Sequence, residues 1–109
     1  MSIIKLPAPI ASYFASETTY DTSIIVKCFT TNAIVRDEGR TVRGLAEIAA
    51  WRREIGEKYH HSVEPLAVSS GGGKVVVTGR VSGNFPGSPI TLDHIFEIED
   101  GKIASLEIR

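Results

Sequence analysis

The hydrophobic period of the chain changes just after its midpoint, and this change constrains the fold more than any other feature. In the first half, apolar residues recur at helical spacing: Ile10, Tyr13 and Phe14 fall at i, i+3 and i+4. In the second half they alternate with polar residues, most clearly over residues 74–83. Helices followed by an antiparallel meander are typical of an α+β domain. A chain of 109 residues suffices for one hydrophobic core, so we expect a single domain over residues 1–109.

Three helices and six strands are predicted from these periods. The first helix ends near Glu17, Asp21 caps the second, and Gly44 begins the third. The apolar side of the third helix contains Leu45, Ile48, Trp51, Arg52 and Ile55. The strands are predicted over residues 32–37, 41–43, 59–69, 74–83, 89–99 and 103–108.

The charge balance and the cysteine content limit the classes of partner. Twelve Lys and Arg residues face thirteen Asp and Glu residues, which disfavours nucleic acid or an anionic membrane as the main partner. The only cysteine, Cys28, lies on an apolar helix stripe and is expected in the core. His60 and His61 point to opposite faces of a strand, so we expect no metal site. The sequence thus predicts a cytoplasmic domain acting on a small molecule or on another protein.

Three polar residues fall among apolar neighbours in the predicted elements. Tyr13 lies on the buried side of the first helix, Asp37 ends a strand, and Asp93 lies within one. A carboxyl group in apolar surroundings has a raised pKa or finds a partner, and such groups are common at functional sites. Structural roles remain open for both acids: Asp37 could begin the turn that follows it, and Asp93 could pair with Arg80 across a hairpin.

Three segments carry a resemblance to a known superfamily: Cys28–Asp37, Arg43–Trp51 and Gly101–Ile108. Together with the order of elements, they resemble the nuclear transport factor 2-like superfamily, which includes SnoaL-like polyketide cyclases and ketosteroid isomerases. The resemblance implies a cone-shaped α+β barrel, with three N-terminal helices packed on a curved, mainly antiparallel sheet that encloses a pocket. It also implies a homodimer formed through the open sheet face, which carries residues such as Thr78, Arg80 or Ile95.

The match to ketosteroid isomerases extends to single residues. Tyr13 falls where that family has its oxyanion-hole tyrosine, and the spacing from Tyr13 to Asp37 equals the family's spacing to its catalytic aspartate. The Leu92-Asp93-His94 segment resembles the family's Ile-Asp-His segment, whose protonated acid is the second donor. The resemblance therefore implies Asp37 as the base and Tyr13 and Asp93 as donors to an enolate oxygen, with no cofactor. Residues expected to contact the substrate are Trp51, His94, Phe14 and Ile55.

The choice between Asp93 and His94 depends on which face of the strand is buried. If Leu92, His94 and Phe96 face the core, Asp93 points away and His94 takes the pocket position. The leading hypothesis is acid/base proton transfer on a small apolar carbonyl compound. A SnoaL-like protein that binds a hydrophobic ligand, or is polyketide cyclase-like without isomerase activity, is the alternative. A structural or dimerisation module is a third, because a fold alone does not determine function.

Overall fold

The computed structural model describes residues 5–16 and 22–109. The helices are α1 (Ala8–Ala15), α2 (Ser23–Cys28) and α3 (Gly44–Tyr59). The strands are β1 (Phe29–Asp37), β2 (Arg40–Arg43), β3 (Ser62–Gly71), β4 (Lys74–Ser82), β5 (Ile90–Glu99) and β6 (Lys102–Ile108). The predicted helix end at Glu17 and the predicted cap at Asp21 lie outside the described residues.

The six strands form one mixed sheet in the order β2-β1-β6-β5-β4-β3. Every neighbouring pair is antiparallel except β1 and β6, which run parallel. The predicted α+β class and the mainly antiparallel sheet are therefore confirmed. The predicted barrel is not closed: within the described residues, β2 and β3 are the two edges of an open sheet.

The junction between the third helix and the meander differs from the sequence prediction. Tyr59 is the last residue of α3 rather than the first residue of a strand. His60 then adopts a left-handed conformation (φ 46°), and its N–H donates to the Gly56 carbonyl at 2.9 Å, which closes the helix. This turn delays the first meander strand until Ser62.

The same junction is fastened to the connection between β4 and β5. The Asn84 N–H donates to the Tyr59 carbonyl at 2.7 Å. A Cβ atom on Gly83 would lie 2.8 Å from that carbonyl oxygen and 3.0 Å from the Cβ atom of His61. Only glycine permits this approach. The turn that begins at Gly83 is thereby held against the end of α3.

An aromatic cluster lies between α1 and the sheet. Tyr13 makes edge-to-face ring contacts with Phe14, Phe29 and Phe96, at centroid distances of 5.4–6.0 Å. Cys28 is buried in the same cluster, which confirms its predicted place in the core. In residues 5–16 and 22–109, no helix is long and apolar enough to cross a membrane.

Candidate functional site

A cavity of about 450 Å³ lies between α3 and the inner face of the sheet, and α1 contributes Tyr13 to its wall. The polar or ionisable side chains in its wall are those of Tyr13, Asp37, Glu38, Trp51, Arg52, Tyr59, His61 and His94. The apolar remainder consists of Ile55, Val63, Val81, Phe85, Pro86, Ile90, Leu92 and Ile108. The volume lies in the range of sites for small organic ligands.

Asp37 is held at the cavity by the end of β1 and by one hydrogen bond. In the sheet it pairs with Arg40 of β2 and Ile108 of β6. The indole Nε1–H of Trp51 donates to Asp37 Oδ2 at 3.3 Å. Trp51 was predicted only as a residue that contacts the substrate, so its role as a donor to the carboxylate is an addition from the structure.

Burial raises the pKa of Asp37 above its usual value of 3.8. The hydrogen bond from Trp51 opposes this effect, whereas the negative charge of Glu38 adds to it. The nearby charges of His61 and Arg40 also favour the ionised carboxylate. A half-buried carboxyl with a raised pKa at an apolar cavity has the properties of a general base.

The first helix supplies one predicted pocket residue and one core residue. Tyr13 lines the cavity although only 1% of its surface is exposed. Phe14 does not line it, which corrects its predicted contact with substrate: it packs edge-to-face against the His94 ring at 5.3 Å. Consecutive residues of a helix point about 100° apart, so Tyr13 and Phe14 face different surroundings. Phe14 therefore packs against the His94 ring without lining the cavity.

The structure places His94 in the cavity wall and Asp93 on the opposite face of the sheet. His94 is 2% exposed and pairs with Val77, whereas Asp93 pairs with Thr78. The Thr78 Oγ1–H donates to Asp93 Oδ1 at 2.9 Å. The predicted position of Asp93 beside the oxyanion is thus wrong, because adjacent strand residues point to opposite faces. The alternative pairing of Asp93 with Arg80 is also absent, since Arg80 binds Glu64 at 3.1 Å.

The wall adjoining His94 depends on a glycine in β4. A Cβ atom at Gly79 would lie 2.7 Å from Val63 Cγ1 and 3.5 Å from His94 Cε1. The absence of a side chain at Gly79 therefore provides the space in which the valine lies, whereas the imidazole would remain at an ordinary contact distance. Trp51 and Ile55 also line the cavity, so three of the four predicted contact residues are brought to it.

Four polar or ionisable wall residues were not assigned to the site from the sequence: Glu38, Arg52, Tyr59 and His61. Arg52 is 2% exposed, and its Cζ atom lies 5.7 Å from the centroid of the Tyr13 ring. Its place on the apolar stripe of α3 was a usable signal that the side chain is buried, because an arginine is rarely fully buried unless it is paired. His61 gave no such signal, since its position depends on the turn at His60. In the described part of the chain, no group of three or more His, Cys, Asp or Glu side chains is arranged to hold a metal ion.

The comparisons with known proteins identify a family and a fold. The sequence model of the SnoaL-like domain matches residues 10–106. No curated protein gives a significant match. Among solved structures, the chain is 38% identical to a candidate polyketide cyclase from Sinorhizobium meliloti, with a TM-score of 0.91 and coverage of 95% of both chains.

Two more distant structures share the fold. A hypothetical protein with a ketosteroid isomerase-like fold from Catenulispora acidiphila, solved in complex with trimethylamine, is 16% identical with a TM-score of 0.83. The match covers 96% of this chain and 86% of that one. An epoxide hydrolase of the LEH-like type from M. tuberculosis is 13% identical with a TM-score of 0.76, over 94% of this chain and 79% of that one. At these identities the likeness concerns the fold, within the nuclear transport factor 2-like superfamily.

Proposed function

Because the chain belongs to the SnoaL-like domain family, we propose that it catalyses proton transfer at a carbon next to a carbonyl group. The substrate is a small, largely apolar carbonyl compound, and the reaction is of the isomerase or cyclase type. The observation that carries this proposal is Asp37. It is a half-buried carboxyl of raised pKa at the wall of a cavity of about 450 Å³. Such a group combines basicity with access to an apolar ligand.

The reaction begins when the Asp37 carboxylate removes a proton from the carbon. The electron pair of the broken C–H bond forms an enolate, whose negative charge lies mainly on oxygen. In a β,γ-unsaturated ketone, return of the proton from Asp37 to the γ-carbon completes an isomerisation. In a dicarbonyl compound, attack of the enolate carbon on the second carbonyl closes a ring, and the alkoxide that forms takes the proton back from Asp37. No oxidant or reductant is consumed in either reaction.

Tyr13 and His94 are the donors to the enolate oxygen in this proposal. Both side chains are almost fully buried and line the same cavity as Asp37. Donors fixed in a site with little water stabilise developing charge more strongly than water does. His94 takes the role for which the ketosteroid isomerase resemblance suggested Asp93.

The test is exchange of the α-hydrogens of α-tetralone in D₂O, followed by NMR. We expect Asp37→Asn to lower the exchange rate by about 10²–10⁴-fold, because the amide cannot accept the proton. Asp93→Asn is the matched control: it removes a carboxylate of the opposite sheet face and should leave the rate close to that of the parent. Equal rates for Asp37→Asn and the parent would show that Asp37 is not the base.

A second candidate function is binding of a hydrophobic ligand without turnover. Eight apolar residues of the wall support it, as does the hydrogen bond that occupies one oxygen of Asp37. This function predicts saturable quenching of the single tryptophan by apolar ligands and no exchange above the buffer rate. Exchange that depends on Asp37 excludes it.

We also propose that the outer sheet face, opposite the cavity, forms a homodimer. Thr78, Arg80 and Ile95 lie on this face, because they alternate in register with the buried pair Val77 and His94. Light scattering should give twice the mass of the chain, and Ile95→Arg should give a monomer. A monomeric parent at micromolar concentration would contradict the proposal.

A further inference from the structure

The base proposed above borders two cavities. A second cavity, of about 480 Å³, shares part of its wall with the first. The residues common to both walls are Asp37, Glu38, Ile90, Leu92 and Ile108. The proton transfer described above takes place in the first cavity, so the second space beside Asp37 has no assigned role.

Side chains from both faces of the sheet line the second cavity. In the parallel pairing of β1 with β6, Asp37 lies beside Ile108, and Arg36 lies beside Glu107. Because successive strand residues point to opposite faces, the first pair faces inward and the second pair faces outward. Thr41, the partner of Arg36 in β2, faces outward as well. All five residues line this cavity, so it connects the inner and the outer face of the sheet beside Asp37.

The connection is a notch at the end of the sheet. On one side, Glu38 and Gly39 form the turn that leads from β1 to β2. On the other side, residues 90–92 of β5 pair with β4 and extend past the backbone hydrogen bonds between Asp93 and Arg109. The second cavity is lined by the turn and by this part of β5. We call the opening between them the Asp37 notch.

Polar side chains dominate the part of the notch wall that the first cavity does not share. They belong to Arg36, Arg40, Thr41, Glu107 and Arg109. Two of the three arginines are paired: Arg40 with Glu54 at 3.2 Å, and Arg109 with Glu107 at 3.9 Å. A roomy space with several hydrogen-bonding partners accommodates water, and paired charges give it no strong preference for an ionic ligand. Water is therefore the occupant that the notch fits.

We propose that the Asp37 notch is the route by which Asp37 exchanges its proton with solvent while a ligand occupies the first cavity; this role rests on the proposed function. The ligand excludes water from the apolar side of the carboxyl group, whereas water in the notch reaches the other side. In the exchange, the carboxylic acid gives its proton to a water molecule and takes another proton from that water. The acid stays neutral, and the enolate remains bound in the first cavity.

Two reactions of the same base depend differently on this exchange. Hydrogen exchange of α-tetralone in D₂O needs it, because the carbon would otherwise take back the proton that it lost. Isomerisation of 3-cyclohexenone does not need it, because the proton lost by the α-carbon can be returned directly to the γ-carbon. Closing the notch should therefore slow the first reaction and leave the rate of the second unchanged.

A removable plug on β2 tests the proposal. Thr41→Cys places a thiol in the notch wall, and benzyl methanethiosulfonate converts this thiol to a benzyl disulfide that dithiothreitol removes again. Arg43→Cys is the matched control, since this position lies two residues further along the same exposed face of β2 and does not line the notch. Cys28 is buried and does not react with the reagent in the folded chain. Mass spectrometry verifies that each chain carries a single benzyl group.

Deuterium in the isomerised product measures the exchange directly. In D₂O the parent should give 2-cyclohexenone with deuterium at the γ-carbon in most molecules. The benzyl group on the Thr41→Cys variant should lower this deuterium content severalfold and slow α-tetralone exchange to a similar extent, while the isomerisation rate in H₂O stays unchanged. Dithiothreitol should restore both values, and the labelled Arg43→Cys variant should resemble the parent.

Two outcomes overturn the proposal. A parent that transfers protium directly to the γ-carbon exchanges its proton too slowly for the notch to be a proton route. A deuterium content that the benzyl group on Thr41→Cys does not change shows that solvent reaches Asp37 by another path. Either result leaves the proposed function intact as long as isomerisation depends on Asp37. Equal isomerisation rates for Asp37→Asn and the parent would contradict the proposed function and the role of the notch together.

Discussion

The inner face of β5 is packed at one end and open at the other. Phe96 is fully buried and makes ring contacts with Tyr13 and Phe14. Leu92, four residues earlier on the same face, lines the cavity. The two positions are only about 13 Å apart at the usual rise of a strand. The difference shows that one strand can contribute to the hydrophobic core and to a ligand site within a short distance.

The helices determine where one region ends and the other begins. α1 and α2 cover the sheet over Phe29 and Phe96, where aromatic rings fill the space. α3 contacts the sheet mainly at β1, which leaves the inner face of the later strands without close cover. Since an empty volume forgoes dispersion contacts, the packed end must supply most of the stability.

The largest expected effect tests this division of stability directly. Phe96→Ala should lower the free energy of unfolding by about 3–5 kcal/mol, because it leaves a void among buried rings. Leu92→Ala should cost only about 1 kcal/mol, because its side chain already borders empty space. Urea denaturation measures both values. Equal losses would show that the cavity end is as important to the fold as the packed end.

A second variant tests how tightly the cavity wall is packed near His94. Gly79→Ala introduces a Cβ atom 2.7 Å from Val63 Cγ1, so the valine must move. We expect a loss of about 1–3 kcal/mol in the free energy of unfolding, typical of overpacking. Gly71→Ala is the control, since a Cβ atom there meets nothing within 4 Å. A neutral effect at Gly79 would mean that this wall yields easily.

The packed region could be predicted from the sequence better than the open one. Alternation over β4 to β6 and the helical stripe around Tyr13 and Phe14 depend on local periodicity, and the structure retains both. The parallel pairing of β1 with β6 was not predictable in this way, because it joins segments about 70 residues apart. The local hydrophobic pattern predicts which side chains of a segment are buried, but it does not predict which distant strand the segment pairs with.

The errors at the site have a similar origin. Alternation alone favoured His94 over Asp93 in the cavity, whereas the motif resemblance favoured the acid. The irregularity in the β5–β6 pairing lies between Glu97 and Ile98, and it does not turn Asp93 inward. Arg52 appeared on the correct stripe of α3, but its contact with Tyr13 depends on how α1 and α3 pack.

The third prediction concerns the hydrogen bond that holds the carboxylate at the open end. Trp51→Phe retains an aromatic ring but removes the Nε1–H that donates to Asp37. Because this bond favours the ionised form, its loss should raise the pKa of Asp37 further. The acid limb of the pH–rate profile for α-tetralone exchange should move to higher pH. A limb that stays in place would show that the 3.3 Å contact has little effect on the carboxylate.

The smallest expected effect is a pH dependence of the free energy of unfolding that comes from Asp37 at the cavity. The raised pKa means that folded Asp37 retains a proton at pH values where the unfolded chain has lost it. Stability from this group therefore falls as pH rises from 3.8 through the folded pKa. Asp37→Asn should remove that fall, so the variant gains stability relative to the parent above this window. Urea titrations of both proteins at several pH values measure the difference. The prediction is contradicted if the free energies of unfolding of the variant and the parent differ by the same amount at every pH in this range.

The attachment of residues 83–88 to the end of α3 bears on how this site can diversify. Phe85 and Pro86 supply part of the cavity wall from an exposed turn, while Gly83 and Asn84 keep its base against Tyr59. Exposed turns accept changes of length and composition more readily than strands do. Substitutions or insertions at the tip of this turn can therefore change the size of the ligand site. The contacts of Gly83 and Asn84 with Tyr59, and the aromatic core, do not have to change.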